Sequence, residues 1–249
     1  MSFSDYRTAL VTGASAGMGA ALVERFCKEG LTVHAIARRQ DRLEELAART
    51  GCIPHALDMT DIDSLTRLLR GLEIDVLVNN AGAGRAGSIP SASAEDIDAL
   101  VDLNVRSVLH TVRTVLPGMM ERDRGHIINI SSIAGHYNFA GNTIYHATKA
   151  AIHMLSRQLR VDVLGKRIRV TEICPGRTET EIFDRNHGVT KDEAREKFYE
   201  GYEVPSASHI ADIAAFAINL PSYVNIGLIE VTPTFQVPGG LTTLKSKAQ

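Results

Sequence analysis

The sequence predicts an α/β fold, a doubly wound parallel sheet of seven strands with helices on both faces, and two observations carry that prediction. Seven short apolar runs alternate with helix-length segments of 3.6-residue periodicity along the 249-residue chain. Several of the runs are apolar at consecutive positions, so both faces of the sheet have to be covered, as when crossover helices flank a parallel sheet. The strand runs fall at 9–11, 31–37, 53–57, 74–78, 126–130, 168–173 and 226–231. The helical segments fall between them at 20–28, 41–48, 65–69, 94–120, 143–164 and 209–220. No Gly/Ser/Pro linker, repeat or low-complexity stretch divides the chain, so 1–249 reads as one domain and the polar stretch 178–205 as a lid over a site.

Composition narrows the function classes. Lys plus Arg total 27 against 29 Asp plus Glu, a net charge of −2, which gives no electrostatic footprint for nucleic acid or an anionic membrane. The three cysteines, Cys27, Cys52 and Cys174, lie far apart without CxxC spacing, which argues against a zinc site or a disulfide framework and for a reducing compartment. The first eight residues have no basic region followed by an apolar run, and no apolar stretch approaches membrane-spanning length; the expected location is the cytoplasm.

The first strand runs directly into Thr12-Gly-Ala-Ser-Ala-Gly-Met-Gly19, with a helical pattern from Ala20. In that context Gly13, Gly17 and Gly19 let the backbone approach a pyrophosphate, while amides at the helix N-terminus supply donors and positive dipole. That is a Rossmann-type feature, although a plain Gly-rich turn or a methyltransferase loop reads the same. The end of the second strand sharpens it. A cofactor site that reads a 2′-hydroxyl places Asp or Glu roughly twenty residues beyond the glycines, whereas here the sequence is Ala37-Arg38-Arg39. Guanidinium groups suit a 2′-phosphate, so NADP(H) is expected over NAD, against the alternative of two solvated arginines opening a charged helix. Asp58, after the third strand, either accepts from an adenine amino group or opens the turn that includes Met59.

Tyr145 and Lys149 lie four apart near the start of a helix and so share one face. A free phenol with a pKa near ~10 is a poor base at neutral pH, and an adjacent cation favours the phenolate. Such a pair is common by chance, so its context decides.

That context is the loop 12–19, Asn79-Asn80-Ala81-Gly82 after the fourth strand, Ser131-Ser132 after the fifth, Tyr145 with Lys149, and Pro175-Gly176 after the sixth. In this order they resemble the short-chain dehydrogenase/reductase family over almost the whole chain. The resemblance implies Tyr145 as acid/base, Ser132 polarising the substrate oxygen, Lys149 holding the nicotinamide ribose and lowering the tyrosine pKa, and Asn104 holding a water behind the lysine. Ser132 is preferred to Ser131 for its thirteen-residue spacing from Tyr145. A mid-helix Asn is otherwise unfavourable, which agrees with a role for Asn104. Cofactor contacts are implied at Gly13, Ser15, Gly17, Met18, Gly19, Arg38, Arg39, Asp58, Met59, Asn80, Gly82, Tyr145, Lys149, Pro175, Gly176 and Thr178. The family also implies a homotetramer, or a homodimer, built partly on the two long helices.

Within the family, Ala37-Arg-Arg-Gln-Asp-Arg-Leu43, Ser131-Ser-Ile-Ala-Gly135 and 229–237 are similar to NADP-dependent serine and 3-hydroxy acid dehydrogenases, to sulfoacetaldehyde reductases and to clavulanic-acid-type aldehyde reductases. The expected substrate is small, polar and anionic, since the lid has few large apolar residues. Arg177 is the preferred anion grip, with Ser132, Tyr137 and Tyr145 completing the substrate site; Arg85 and the His136–Asn138 stretch are the alternatives, and Tyr137 reads equally as a pocket wall. Competing readings are a 3-oxoacyl thioester or neutral aldehyde/ketone reductase, and an NADP(H)-binding sensor without turnover. The nine histidines show no ligand spacing such as HExxH, and the implied hydride transfer needs no metal, so no metal ligands are assigned.

Overall fold

The computed structural model describes residues 3–180 and 190–237. Its strands are β1 (Thr8–Thr12), β2 (Thr32–Ala37), β3 (Ile53–Ala56), β4 (Val76–Asn79), β5 (Gly125–Ile130), β6 (Ile168–Pro175) and β7 (Leu228–Val231). They pair in parallel in the order β3-β2-β1-β4-β5-β6-β7. The helices are α1 (Gly17–Lys28), α2 (Gln40–Thr50), α3 (Ile62–Arg70), α4 (Ala94–Val101), α5 (Ser107–Glu121), α6 (Thr143–Asp162), α7 (Lys191–Phe198) and α8 (Ala207–Ile218).

The consecutive apolar positions that predicted two covered faces separate as a pleat requires. Val11, Val76, Val78 and Ile128 pack with α1, α2 and α8 on one face. Their neighbours Leu10, Leu77, Ile127 and Val170 pack with α3, α5 and α6 on the other. Leu10 is in register with Leu77, and Leu77 with Ile127, so this second stripe crosses the sheet centre as one buried row. Fully burying a Leu, Ile or Val contributes about 1.5–3 kcal/mol each, which fixes the register, because a one-residue slip would turn every such side chain to the wrong face.

Two helices differ from expectation. The segment 94–120 is not one helix: a π-helical segment, Asp102–Arg106, interrupts it between α4 and α5. Periodicity cannot reveal one wider turn, and such turns occur where a side chain is diverted to a specific task. The polar lid stretch, for which no helix was expected, contains α7, whose N-terminus is a capping box: the Glu193 N–H donates to Thr190 Oγ1, and the Thr190 N–H donates back to the Glu193 carboxylate. The remainder of the expected lid at 181–189 and the tail beyond 237 lie outside the described residues. Among the described residues no helix is long and apolar enough to cross a membrane.

Candidate active site

The sheet order reverses at β1 and β4: the chain leaves β1 toward β2 on one side and reaches β5 from β4 on the other. The loops that leave their C-terminal ends therefore part, and a cleft of about 470 Å3 opens there. Its lining includes Gly13, Ser15, Gly17, Met18, Gly19, Arg38, Arg39, Asp58, Met59, Asn80, Gly82, Tyr145 and Lys149. Pro175, Gly176 and Thr178 are not among the lining residues. They follow the end of β6, where the Gly176 N–H donates to the Val231 carbonyl.

The glycine loop has its shape for steric reasons. Gly13 has φ +69°, and a Cβ there would stand 2.8 Å from Ala81 Cα; a Cβ on Gly19 would stand 2.2 Å from the Gly13 carbonyl oxygen. Thr12 joins the two sides of the cleft. Its hydroxyl donates to the Val78 carbonyl and accepts from the N–H groups of Asn80 and Ala81, both at 3.0 Å. Asn80 Nδ2 donates to the Thr12 carbonyl at 2.8 Å, so this side chain shapes the loop from behind. Ala16, the N-cap of α1, offers no capping side chain, which leaves the first-turn amides oriented to receive an anion.

At the outer end of the cleft, Arg39 donates to Ser15 Oγ from Nε at 3.1 Å and from Nη2 at 3.0 Å. Arg38 lies 3.8 Å from the Asp58 carboxylate with its side chain largely in solvent. One arginine is thus anchored to the glycine loop and its neighbour stands open, a fork of positive charge where an acidic residue would have excluded a phosphate.

At the inner end, the Tyr145 phenol is buried beside Ser132; burial raises its pKa, against a smaller lowering from the Ser132 side chain. Ser132 has extended backbone, and its Oγ accepts from the Ala134 N–H and donates toward the Pro175 carbonyl. Lys149 is buried, its Nζ donates to the Ile130 carbonyl at 3.0 Å, and burial lowers its pKa to about 8. Its Nζ stands 5.7 Å from the Tyr145 ring centroid. The ammonium thus lies over the Tyr145 ring while anchored to a backbone carbonyl.

Asn104 explains the π segment. Fully buried, its Oδ1 accepts from the Ala83 N–H at 2.9 Å, and its Nδ2 donates to the Ala83 carbonyl at 2.8 Å and to Thr148 Oγ1 at 3.1 Å. The wider turn carries an amide across to α6 one position before Lys149. A Cβ on Gly82 would stand 3.4 Å from Asn104 Oδ1 and 3.6 Å from Lys149 Nζ, so both polar atoms flank one spot on the cleft floor.

A scan against protein families matches residues 7–189 to the short chain dehydrogenase family. The chain is a short-chain dehydrogenase/reductase. It is 42% identical over 236 residues to an uncharacterized short-chain type dehydrogenase/reductase, y4eK, of Sinorhizobium fredii, covering 94% of each chain. It is 38% identical over 246 residues to the NADP-dependent 3-hydroxy acid dehydrogenase YdfG of Salmonella typhi, covering 95% of this chain and 99% of that one. The solved closed form of serine dehydrogenase complexed with NADP+ superposes with a TM-score of 0.90 at 35% identity, over 96% of this chain and 100% of that one. This short-chain dehydrogenase/reductase is accordingly an NADP(H)-dependent oxidoreductase acting on CH–OH groups. The residues present fit that cofactor: the glycine cradle at Gly13 and Gly19 admits no Cβ, the α1 amides are uncapped, and Arg38 and Arg39 flank the outer end.

The expected substrate contacts of the short-chain dehydrogenase/reductase are placed differently from one another. Arg177 does not line the cleft. Its Nη1 donates to the Phe198 carbonyl at the end of α7, and its guanidinium carbon lies 4.7 Å from the Tyr202 ring centroid, so it is engaged with the lid. Tyr137 lies beside Glu230, whose carboxylate holds the phenol above its ordinary value. Arg85 pairs with Asp96 at 3.1 Å, with its side chain 63% exposed. Sequence reasoning missed Thr12, Ala16 and Thr180, of which the last two line the cleft and the first bridges it. It also missed Tyr199, which accepts from the Thr180 N–H and donates to the Thr180 carbonyl at 2.9 Å, tying the start of the lid to its helix. The Thr190-x-x-Glu193 signature could have revealed α7; an aromatic reaching back nineteen residues leaves no local sign.

Proposed function

We propose that this short-chain dehydrogenase/reductase transfers hydride between the nicotinamide and a small, polar, anionic hydroxy or carbonyl compound of the 3-hydroxy acid or serine-like class. The observation that carries the reading is the placing of Ser132 beside the buried Tyr145 phenol at the inner end of the NADP(H) cleft, with buried Lys149 next to them. NADP(H), when bound, supplies or accepts the hydride. As a carbonyl becomes an alcohol, Tyr145 gives its phenolic proton to the substrate oxygen, and in oxidation it receives that proton back. Ser132 donates to the same oxygen and stabilises the charge that develops there. Lys149 binds the nicotinamide ribose, and Asn104 holds the Ala83 backbone and the Lys149 helix in the arrangement that returns a proton to the phenol.

The substrate class is supported by the names of the similar proteins, 3-hydroxy acid dehydrogenase and serine dehydrogenase. Arg177 then acts through the lid, as the cation that holds α7 over the cleft. The region 178–205 serves as that lid. A homotetramer is proposed on the family resemblance, and the exposure of Leu109 on α5 and of Met154 and Val161 on α6 agrees with it. The test is NADPH oxidation with malonic semialdehyde, sulfoacetaldehyde, neutral short aldehydes and a 3-oxoacyl thioester, and NADP+ reduction with serine and 3-hydroxy acids. Selective turnover of the small anions is expected; equal turnover of neutral aldehydes, or preference for the thioester, overturns the substrate class.

A further inference from the structure

Beside the catalytic groups, and separate from them, four side chains converge that the reaction does not use. Glu172 of β6 is buried to 1% exposure. His136, just beyond the turn that follows Ser132, places Nε2 3.3 Å from Glu172 Oε1. Cys174, two residues along the same strand and fully buried, places Sγ 3.1 Å from that carboxylate oxygen and 3.2 Å from the same Nε2. The other carboxylate oxygen, Oε2, is 2.8 Å from Nδ1 of His153 on α6.

From this geometry we infer a binding site for one thiophilic divalent cation, of the Zn2+ class, held by His136 Nε2, Glu172 Oε1 and Cys174 Sγ.

Three features of the cluster support it. The first is spacing. Ligands around tetrahedral zinc lie roughly 3.3–3.7 Å apart, given bonds of about 2.0–2.3 Å to N, O and S, and the three atoms here stand 3.1, 3.2 and 3.3 Å apart. An ion needs them to open by only a few tenths of an ångström. The second is charge. One carboxylate, one thiolate and one neutral imidazole sum to −2, so a divalent ion makes the set neutral where a buried net charge would be costly. The proton balance is simple: the ion replaces the Cys174 thiol proton, which leaves to solvent, and the His136 proton resides on Nδ1. The third is an outer partner. The His153–Glu172 contact fixes the carboxylate from its far side, as the partners of metal ligands do in established sites. Mixed S, N and O donors favour zinc over magnesium or calcium, and three protein ligands leave a fourth corner for water. His136 and His153 are 15% and 22% exposed, so an ion has a way in from the imidazole side.

The consequence is a staple. His136 lies just after the Ser132 turn, and Cys174 immediately precedes Pro175, whose carbonyl faces the Ser132 hydroxyl. A bound ion ties that turn to β6 without touching the reacting atoms. It also reverses the expectation that the chain lacks metal ligands, because the contacts span 38 residues of sequence that no local spacing can show.

The test is a titration of the full-length, chelator-treated protein with Co2+ and then Zn2+. One Co2+ per chain is expected, with a near-ultraviolet thiolate-to-cobalt charge-transfer band that one equivalent of Zn2+ removes. Cys174→Ser should abolish the band, and His136→Gln should weaken Zn2+ binding by at least the ~10–100-fold that loss of a mere outer partner brings. Each variant is checked for NADPH affinity as evidence of a folded cleft. If Cys174→Ser fails that check, His136→Gln decides the matter. A wild-type protein that shows no thiolate band at saturating Co2+, a band that survives Cys174→Ser, or Zn2+ affinity unchanged in folded His136→Gln overturns the site.

Discussion

Replacing Lys149 with Met should make the enzyme more stable at neutral pH while destroying its activity. Burial lowers the lysine from 10.5 to about 8, so carrying the proton in the folded state costs about 3 kcal/mol at pH 7. Met fills similar volume and has no charge to desolvate. Against that gain stands the hydrogen bond from Nζ to the Ile130 carbonyl, worth about 1–1.5 kcal/mol. The net expectation is a gain of about 1–2 kcal/mol, read as the urea midpoint at unchanged m. The sign with pH follows from proton counting. Between about 8 and 10.5 the unfolded chain holds a proton on this lysine that the folded chain has released, so wild-type stability rises with pH across that window. The penalty is complete below pH 8 and gone above 10.5, and Lys149→Met, having no such group, should lose its advantage over the same range. Unfolding at pH 7 and pH 10 checks both statements. A variant less stable than wild type at pH 7, or a difference between the two that does not change with pH, refutes the reasoning.

The other expectations concern function more directly. Tyr145→Phe should lower kcat by about 10²–10⁴-fold with NADPH affinity little changed, because it removes the proton donor and leaves the phosphate end alone; fluorescence titration and steady-state rates measure the two, and retained turnover removes Tyr145 from its role. Arg38→Asp should weaken NADP+ binding by about 10–100-fold, the worth of a charge-assisted bond, and improve NAD+ use; an unaltered NADP/NAD ratio would reject the outer end of the cleft as the 2′-phosphate site. Gly19→Ala should abolish NADPH binding or cost about 3 kcal/mol or more, since the added methyl meets the Gly13 carbonyl at 2.2 Å and backbone must move; a variant with normal affinity and melting temperature argues against the loop geometry. Arg177→Ala should loosen α7, raising KM and sensitivity to proteolysis in the lid with little effect on NADPH affinity, through loss of the Phe198 and Tyr202 contacts. Unchanged KM and cleavage rates would count against a lid role.

What the sequence disclosed and what it withheld follow from the range of the interactions. The seven strands were legible because a strand apolar on both faces leaves a local mark, and Leu10 beside Val11 is that mark for β1. The glycine loop and the Arg38–Arg39 pair were legible because a short segment carries their whole meaning. The π segment was not, since one extra residue in a helical turn leaves the apolar periodicity of 94–120 almost intact. Arg177 illustrates the limit most clearly: the sequence gives an arginine at the mouth of a site, but whether it faces substrate or a helix end depends on α7, whose last carbonyl lies 21 residues away. The anchoring of Lys149 was hidden for a similar reason, because its carbonyl partner at Ile130 belongs to another element.

The π segment has a bearing on how this helix can vary. A turn that absorbs a surplus residue sets the angular phase of α4 independently of α5, much as a vernier offsets one scale against another. Residues along α4 can be exchanged, and its rim re-aimed, without rotating the buried face by which α5 meets α3. Removing one residue between Asp102 and Arg106 would close the turn to ordinary pitch and swing one helix against the other by about 100°. The amide of Asn104 would then leave Ala83, so the length of this segment, more than the chemistry of any residue outside Asn104, is what variation here must preserve.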